Sequence, residues 1–341
     1  MPIENRGRML LPHPLPRPPA TWKRSPSDFV VEEIPAYDLE GQGEHYWVEV
    51  TRQDMSTAYL MDVMARHLQL SPRAIGYAGL KDRCAVARQR FSIQGLSQPP
   101  SPPPFSEILE WKPLGWHPHK LKRGHLKGNR FELVIQCASP QIDPIVDRIR
   151  EQGWANYYGK QRFGRDSDNQ VRGKELLARP GGRHDLLTSA YQSHLYNLYL
   201  ENRVTDGCFG KVLDGDLCAR LPEGGMFVVE DPDLEQARLE TFEISHTGPM
   251  FGFKMRTPQG ESAAREEQVL LSEEVRLEDF RRIKAPGSRR RSRLPLPADF
   301  QVAPHPDGLK MTFSLPAGSY ATVLLEHFFR GAESQEGDDS P

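Results

Sequence analysis

The chain has 341 residues, 38% hydrophobic and 26% charged, and a formal net charge of −2 from 44 basic and 46 acidic side chains. Such a composition fits a folded, fairly polar protein of one large or two ordinary domains, and the net charge alone gives no reason to expect a nucleic-acid partner. No apolar run is long enough to cross a membrane, and the N-terminus lacks the apolar core of a signal peptide, so a cytoplasmic protein is expected.

In chain order, the five prolines of residues 10–19 predict an extended surface run. "DFVVEEI" (28–34) and "HYWVEV" (45–50) read as strands around the turn signal "EGQGE". Leu60, Val63, Met64 and Leu68 recur at helical spacing, predicting a helix over 56–70 with Ser56 or Thr57 as N-cap. A short strand follows at 88–96, then a proline-rich loop at 97–104. "NRFELVIQC" (129–137) alternates, with Phe131, Leu133 and Ile135 on one face. Asp143 and Pro144 open a helix that Gly153 closes. Further helices are expected at 188–204 and 262–275, with Gly-punctuated strands and loops between 205 and 257. A last strand at 308–315 precedes a helix capped by Ser319. Strands and helices mix without a regular βαβα rhythm, which favours α+β over a doubly wound sheet.

The charge is unevenly spread. Residues 111–130 carry six Lys/Arg, three His and no acid; 281–293 carry seven Lys/Arg and no acid; the tail after Arg330 carries four acids and no base. Clustered cations on a near-neutral chain predict a local polyanion site, the alternative being solvated loops. Between Arg73 and Arg90, five cations surround a single acid, Asp82. An anion-binding patch would do better without that carboxylate. In "WANYYGKQRFGRDSDNQVRG" (154–173) aromatics alternate with cations, as in surfaces that stack bases and track phosphates, although rings of this size commonly pack in a core. Glycine-rich dinucleotide or P-loop signatures, zinc-protease and zinc-deaminase patterns and a serine-hydrolase elbow are all missing. The four cysteines form no metal-spaced pair and read as free thiols.

"GYAGLKDRCAVARQRF" resembles the G-x-K-D segment of the TruD family of tRNA pseudouridine synthases, and "KRSPSDFVVEEI", "LKGNRF", "NYYGKQRFG" and "LPAGSYAT" resemble its other motifs in order. "VLDGD" and "GPMFG" fit its inserted domain. The likeness runs from about residue 20 to about 330; the proline-rich loop, the acidic tail and Cys84 depart from the usual pattern.

The resemblance implies an α+β catalytic domain with a mixed, largely antiparallel sheet from 1–152 and 300–341, interrupted by an α/β TRUD domain over 153–299. It implies isomerisation of uridine 13 of tRNA to pseudouridine, with no cofactor or metal, by a monomer whose partner is tRNA and not a membrane. Asp82 matches the catalytic aspartate, acting as a nucleophile or a base, and Lys23 is its expected cationic partner. Lys81, next along the chain, points the other way if the loop is extended. Phe131 matches the aromatic that packs on the flipped uracil. Asn129, on the same face, holds the carboxylate or the base edge. Lys81, Tyr157, Gln161, Arg162 and Phe163 are also expected to bind substrate. Two rivals share parts of this pattern. A catalytically silent tRNA-binding protein lacks a use for Asp82, and a methyltransferase or deaminase needs the cofactor loop or zinc ligands that are missing.

Overall fold

The structure, a computed structural model, describes residues 15–138, 141–164, 166–179, 185–222 and 224–330. The start of the proline-rich run, Arg165 and the acidic tail lie outside the described residues. The elements of the first half are β1 (Phe29–Pro35), β2 (His45–Gln53), α1 (Thr57–His67), β3 (Ile75–Tyr77), β4 (Val86–Gln94), β5 (Ile108–His117), β6 (Leu126–Gln136), α2 (Asp143–Gln152) and β7 (Trp154–Ala155). They continue with α3 (Asn169–Ala178), α4 (Leu186–Thr205), β8 (Leu217–Arg220), β9 (Met226–Val228), α5 (Pro232–Glu240), β10 (Ile244–Met250), α6 (Gly260–Ser272) and α7 (Leu277–Arg282). Last come β11 (Ser288–Arg291), β12 (Arg293–Leu294), β13 (Gln301–His305), β14 (Gly308–Pro316) and α8 (Ala321–Phe328).

The fold is α+β, and the chain divides into two compact units. One, from Pro18–Gln141 and Pro297–Gly318 with residues 329–330, contains an eight-stranded sheet in the order β13-β14-β6-β1-β4-β2-β5, with β3 paired to β4. Within that sheet only the β1–β4 pairing is parallel. Alternation along the strands puts one residue in two on each face. Val48 and Val50 of β2 and Phe91 and Ile93 of β4 are fully buried beneath Leu60 and Met64 of α1. Burial of each such side chain stabilises the unit by about 1.5–3 kcal/mol. Ser56 caps α1 through Tyr59 N–H, as its sequence predicts. β6 approaches β14 closely at Gly128, where a Cβ would stand 2.2 Å from the Leu315 carbonyl oxygen.

The other unit comprises Ile142–Leu296 and Ser319–Phe328, with Arg17 reaching the Glu326 carbonyl. Its core gathers around α4, whose Tyr191, Leu195 and Tyr199 pack with Phe251, Phe280 and Ile283. α4 begins two residues before its predicted start, with Asp185 as cap. Asp143 is the first residue of α2 and not its cap. No described helix is long and apolar enough to cross a membrane.

In run 281–293 only the second half departs from the expected polyanion patch; Arg281, Arg282 and Lys284 remain exposed. Arg289 is almost wholly buried, 2.6 Å from a Glu266 oxygen, and donates to the Thr247 carbonyl at 2.8 Å. Arg290 donates to Asn156 Oδ1 at 2.7 Å and stacks over Tyr158 at 4.1 Å. Arg293 is buried, bonded to the Gln152 carbonyl at 2.7 Å, and burial lowers its pKa to about 10. These guanidiniums are internal fasteners. Buried arginines survive in such sites because their several N–H donors can all be satisfied by carbonyls.

Candidate active site

The loop from Gly79 to Ala85 lies between β3 and β4 and is held at several backbone groups. Gln89 Nε2 donates to the Gly79 carbonyl at 3.1 Å, and Lys81 N–H donates to Thr57 Oγ1 at 3.0 Å. Arg52, fully buried, donates to Thr57 Oγ1 at 2.9 Å and to the carbonyls of Lys81 and Asp82, both at 3.4 Å. Burial lowers the Arg52 pKa to about 10, opposed by the negative charge of Asp82.

With its backbone fixed, the loop sends its two charged side chains apart. Lys81 folds inward to Glu33 Oε2 at 2.9 Å, in an ion pair almost closed to solvent. Asp82 turns outward, its side chain 38% exposed, and its Oδ2 lies 2.5 Å from Lys23 Nζ. Lys23 comes from 59 residues away and is itself buried. Its φ of 62° lies in the left-handed region, which costs a non-glycine residue on the order of 1–3 kcal/mol. The ammonium also sits 4.1 Å from the centre of the Phe29 ring, so it bridges the carboxylate and an aromatic face.

Phe29 leads to the third component. Register pairs Val31 with Phe131 and Glu33 with Asn129, so these side chains share a sheet face. Phe131 meets Phe29 edge-on at 5.9 Å and Phe313 at 5.6 Å, and is 7% exposed. Asn129 Oδ1 is buried with no hydrogen-bond partner among the described residues. An orphan acceptor of this kind costs about 1–3 kcal/mol unless a ligand or water supplies a donor.

Lys23, Lys81, Asp82, Asn129 and Phe131 therefore belong to one unit. Tyr157, Gln161, Arg162 and Phe163 belong to the other. There Tyr157 and Phe163 are buried, and Gln161 is exposed on the 3₁₀ turn Lys160–Phe163. Arg162 donates to Ser193 Oγ at 3.0 Å and Ser189 Oγ at 2.5 Å.

Sequence reasoning missed Arg52, Thr57, Gln89 and Glu33. One signal was available for two of them. Glu33 falls in phase with Phe29 and Val31, and Arg52 with Val48 and Val50, so each is a charge on an apolar strand face that must find a buried partner.

A large mixed sheet together with a part-exposed carboxylate, tied to a buried lysine that itself lies over the Phe29 ring, makes an α+β protein with a carboxylate-centred candidate site. The family model described as tRNA pseudouridine synthase D (TruD) matches residues 19–181 and 176–328, and the chain belongs to that family. It is 38% identical over 340 residues to the tRNA pseudouridine synthase D of Anaeromyxobacter sp. (strain Fw109-5), covering 95% of this chain and 97% of the relative. Against a protein of the same name from Thermus thermophilus the identity is 37%, over 89% and 87% of the two chains. A solved structure from Methanosarcina mazei, described as a TruD protein, superposes with a TM-score of 0.70 at 21% identity, covering 93% and 95%, which is a likeness of fold.

Proposed function

We propose that this chain isomerises a uridine of tRNA, at position 13, to pseudouridine, with Asp82 as the catalytic carboxylate. The observation that carries the reading is the Lys23–Asp82 pair, 2.5 Å apart and set beside the Phe29 ring. The reaction breaks the N1–C1′ bond, turns the uracil over and joins C5 to C1′; C5 then gives up its proton and N1 takes one, so atoms and electrons balance within one nucleotide. The chemistry needs a carboxylate that can attack or stabilise an electrophilic sugar carbon or take a ribose proton. Lys23 orients and neutralises that carboxylate, and the Arg52–Thr57–Gln89 scaffold fixes the loop bearing it. Such preorganisation places the cost of positioning on folding instead of on turnover.

The target uridine is stacked within folded RNA and has to be extruded to reach a carboxylate on a protein loop. Phe131 offers it an aromatic neighbour, and the unpartnered Asn129 oxygen offers an acceptor to the base edge. Lys81 has a supporting role in this reading, since its ammonium is spent on Glu33. In this reading the sheet-bearing unit carries the catalytic residues, the inserted domain, 153–299, makes up most of the unit around α4, and Tyr157, Gln161, Arg162 and Phe163 form part of the RNA-binding set. The test is chemical mapping of pseudouridine in unmodified tRNA transcripts incubated with the purified chain. A mass-neutral product at position 13 is expected. A mass change, or no pseudouridine at any position, would contradict the proposal.

A further inference from the structure

The loop between β5 and β6 is the basic segment that the candidate site has not absorbed. It is pinned at three points. Trp47 Nε1 donates to the His119 carbonyl at 3.2 Å, Leu121 N–H to Ser92 Oγ at 2.9 Å, and Gly124 N–H to the Ala78 carbonyl at 2.8 Å. Leu121 is buried, and the loop lies so close over β3 that a Cβ at Gly76 would stand 2.4 Å from the Leu121 carbonyl oxygen. A loop fastened this way holds its outward side chains in place. Those side chains are Lys122, Arg123 and, at the start of β6, Lys127, all exposed. No acid occurs between 111 and 131.

Arg123 is held flat. Its Nε and Nη2 both donate to Tyr77 Oη, at 2.9 and 2.7 Å, with the guanidinium 5.5 Å from the ring centre. A guanidinium fixed in orientation loses less entropy on taking a phosphate, which its remaining donors can grip. The loop also touches both chain segments of the candidate site. Ala78, which accepts from Gly124, begins the stretch that reaches Asp82, and Lys127 precedes Asn129 by two residues on β6, roughly 7 Å along the strand.

We propose that this loop is the docking site for the RNA backbone flanking the target uridine, with Lys122, Arg123 and Lys127 taking phosphates. The proposal rests on the reading that the substrate is tRNA. A partner of this chemistry gives binding whose logarithm falls against log salt by about 0.7–0.9 for each phosphate neutralised.

The experiment measures tRNA binding across a salt series for the unaltered chain and for the triple variant Lys122→Ala, Arg123→Ala, Lys127→Ala. The slope is expected to drop by about 2 and the Kd near physiological salt to rise at least tenfold, while turnover at saturating tRNA stays within about threefold. A second variant, Lys122→Glu with Lys127→Glu, removes no buried contact and is expected to weaken binding further at an unchanged melting temperature. Retained tRNA binding with unchanged slope and Kd would overturn this docking site alone. An unaltered chain that binds no tRNA would overturn it together with the function on which it rests.

Discussion

Two carboxylates in this chain each sit 2.5 Å from a cation, and their surroundings could hardly differ more. Asp216 is completely buried against Arg203, which grips both of its oxygens at 2.5 and 2.8 Å. Ser262 Oγ and Leu213 N–H donate to it as well. Burial pushes its pKa up, but the charge and hydrogen bonds of Arg203, aided by His246 and the Leu213 N–H, outweigh this and bring it down to about 2. Asp82 faces Lys23 at the same distance but keeps 38% of its side chain open. A saturated, enclosed carboxylate can only hold structure together, whereas a tethered one that solvent can reach is available to a substrate. The pair distance alone does not separate the two cases; the burial of the acid does.

The contrast is sharpest at the cation of the closed pair. Arg203→Met strands a buried carboxylate, and breaking such a pair costs about 3–5 kcal/mol. Equilibrium urea unfolding should show that loss; a variant within about 0.5 kcal/mol of wild type would mean the pair is dispensable.

At the open site, the next largest effect falls on the aromatic neighbour. Phe131→Leu keeps apolar volume against Phe29 and Phe313 but removes the π-face. Base stacking is worth about 1–3 kcal/mol, so single-turnover isomerisation should slow by about 5–150-fold with tRNA capture unchanged. If folded Phe131→Leu turns over at the wild-type rate, Phe131 serves packing alone.

The unit that holds Asp216 should also lose stability in acid by a definite course. Burial lowers the pKa of His246 and of His327 to about 3, against 6.5 for an unburied imidazole. Above 6.5 both are neutral folded or unfolded. Below it the unfolded chain takes up protons that the folded chain refuses, so stability falls by roughly 1.4 kcal/mol per pH unit per histidine down to about pH 3. Asp216 adds to the loss only between about pH 4 and 2, as its carboxylate is protonated. Unfolding free energies for wild type and His246→Gln between pH 7 and 4 check this, and identical slopes would exclude His246 as a contributor.

The smallest expected effect separates the two basic runs. Arg289→Gln should lower the melting temperature and leave the salt dependence of tRNA binding unchanged, because that guanidinium is spent on Glu266 and Thr247. A flattened salt slope would place Arg289 on the RNA surface.

Local grammar was readable in the sequence wherever one element determined it. The Ser56 cap, the helical period of α1 and the alternation of β6 and β14 all appear where their residues place them. β5 was hidden because Pro113 and Gly115 interrupt its alternation, and its pairing with β2 breaks register at two points. The composition of 281–293 resembled that of 111–130, yet Arg289, Arg290 and Arg293 are tied up inside the fold while Lys122, Arg123 and Lys127 remain exposed. That difference depends on partners more than a hundred residues away, such as Asn156 for Arg290. The same holds within the candidate site. The motif singles out Asp82, but the hold of Arg52 on its backbone depends on register between β2 and β4, which no local pattern encodes.

The most direct test treats the two carboxylates identically. Asp82→Asn and Asp216→Asn make the same isosteric exchange, and each variant is assayed for pseudouridine in tRNA and for melting temperature. Asp82→Asn is expected to lose turnover by at least about 10²–10⁴-fold, with tRNA binding and melting temperature near wild type. Asp216→Asn is expected to melt well below wild type, while its folded molecules remain active. Turnover by Asp82→Asn within tenfold of wild type would contradict the assignment of Asp82 as the catalytic carboxylate.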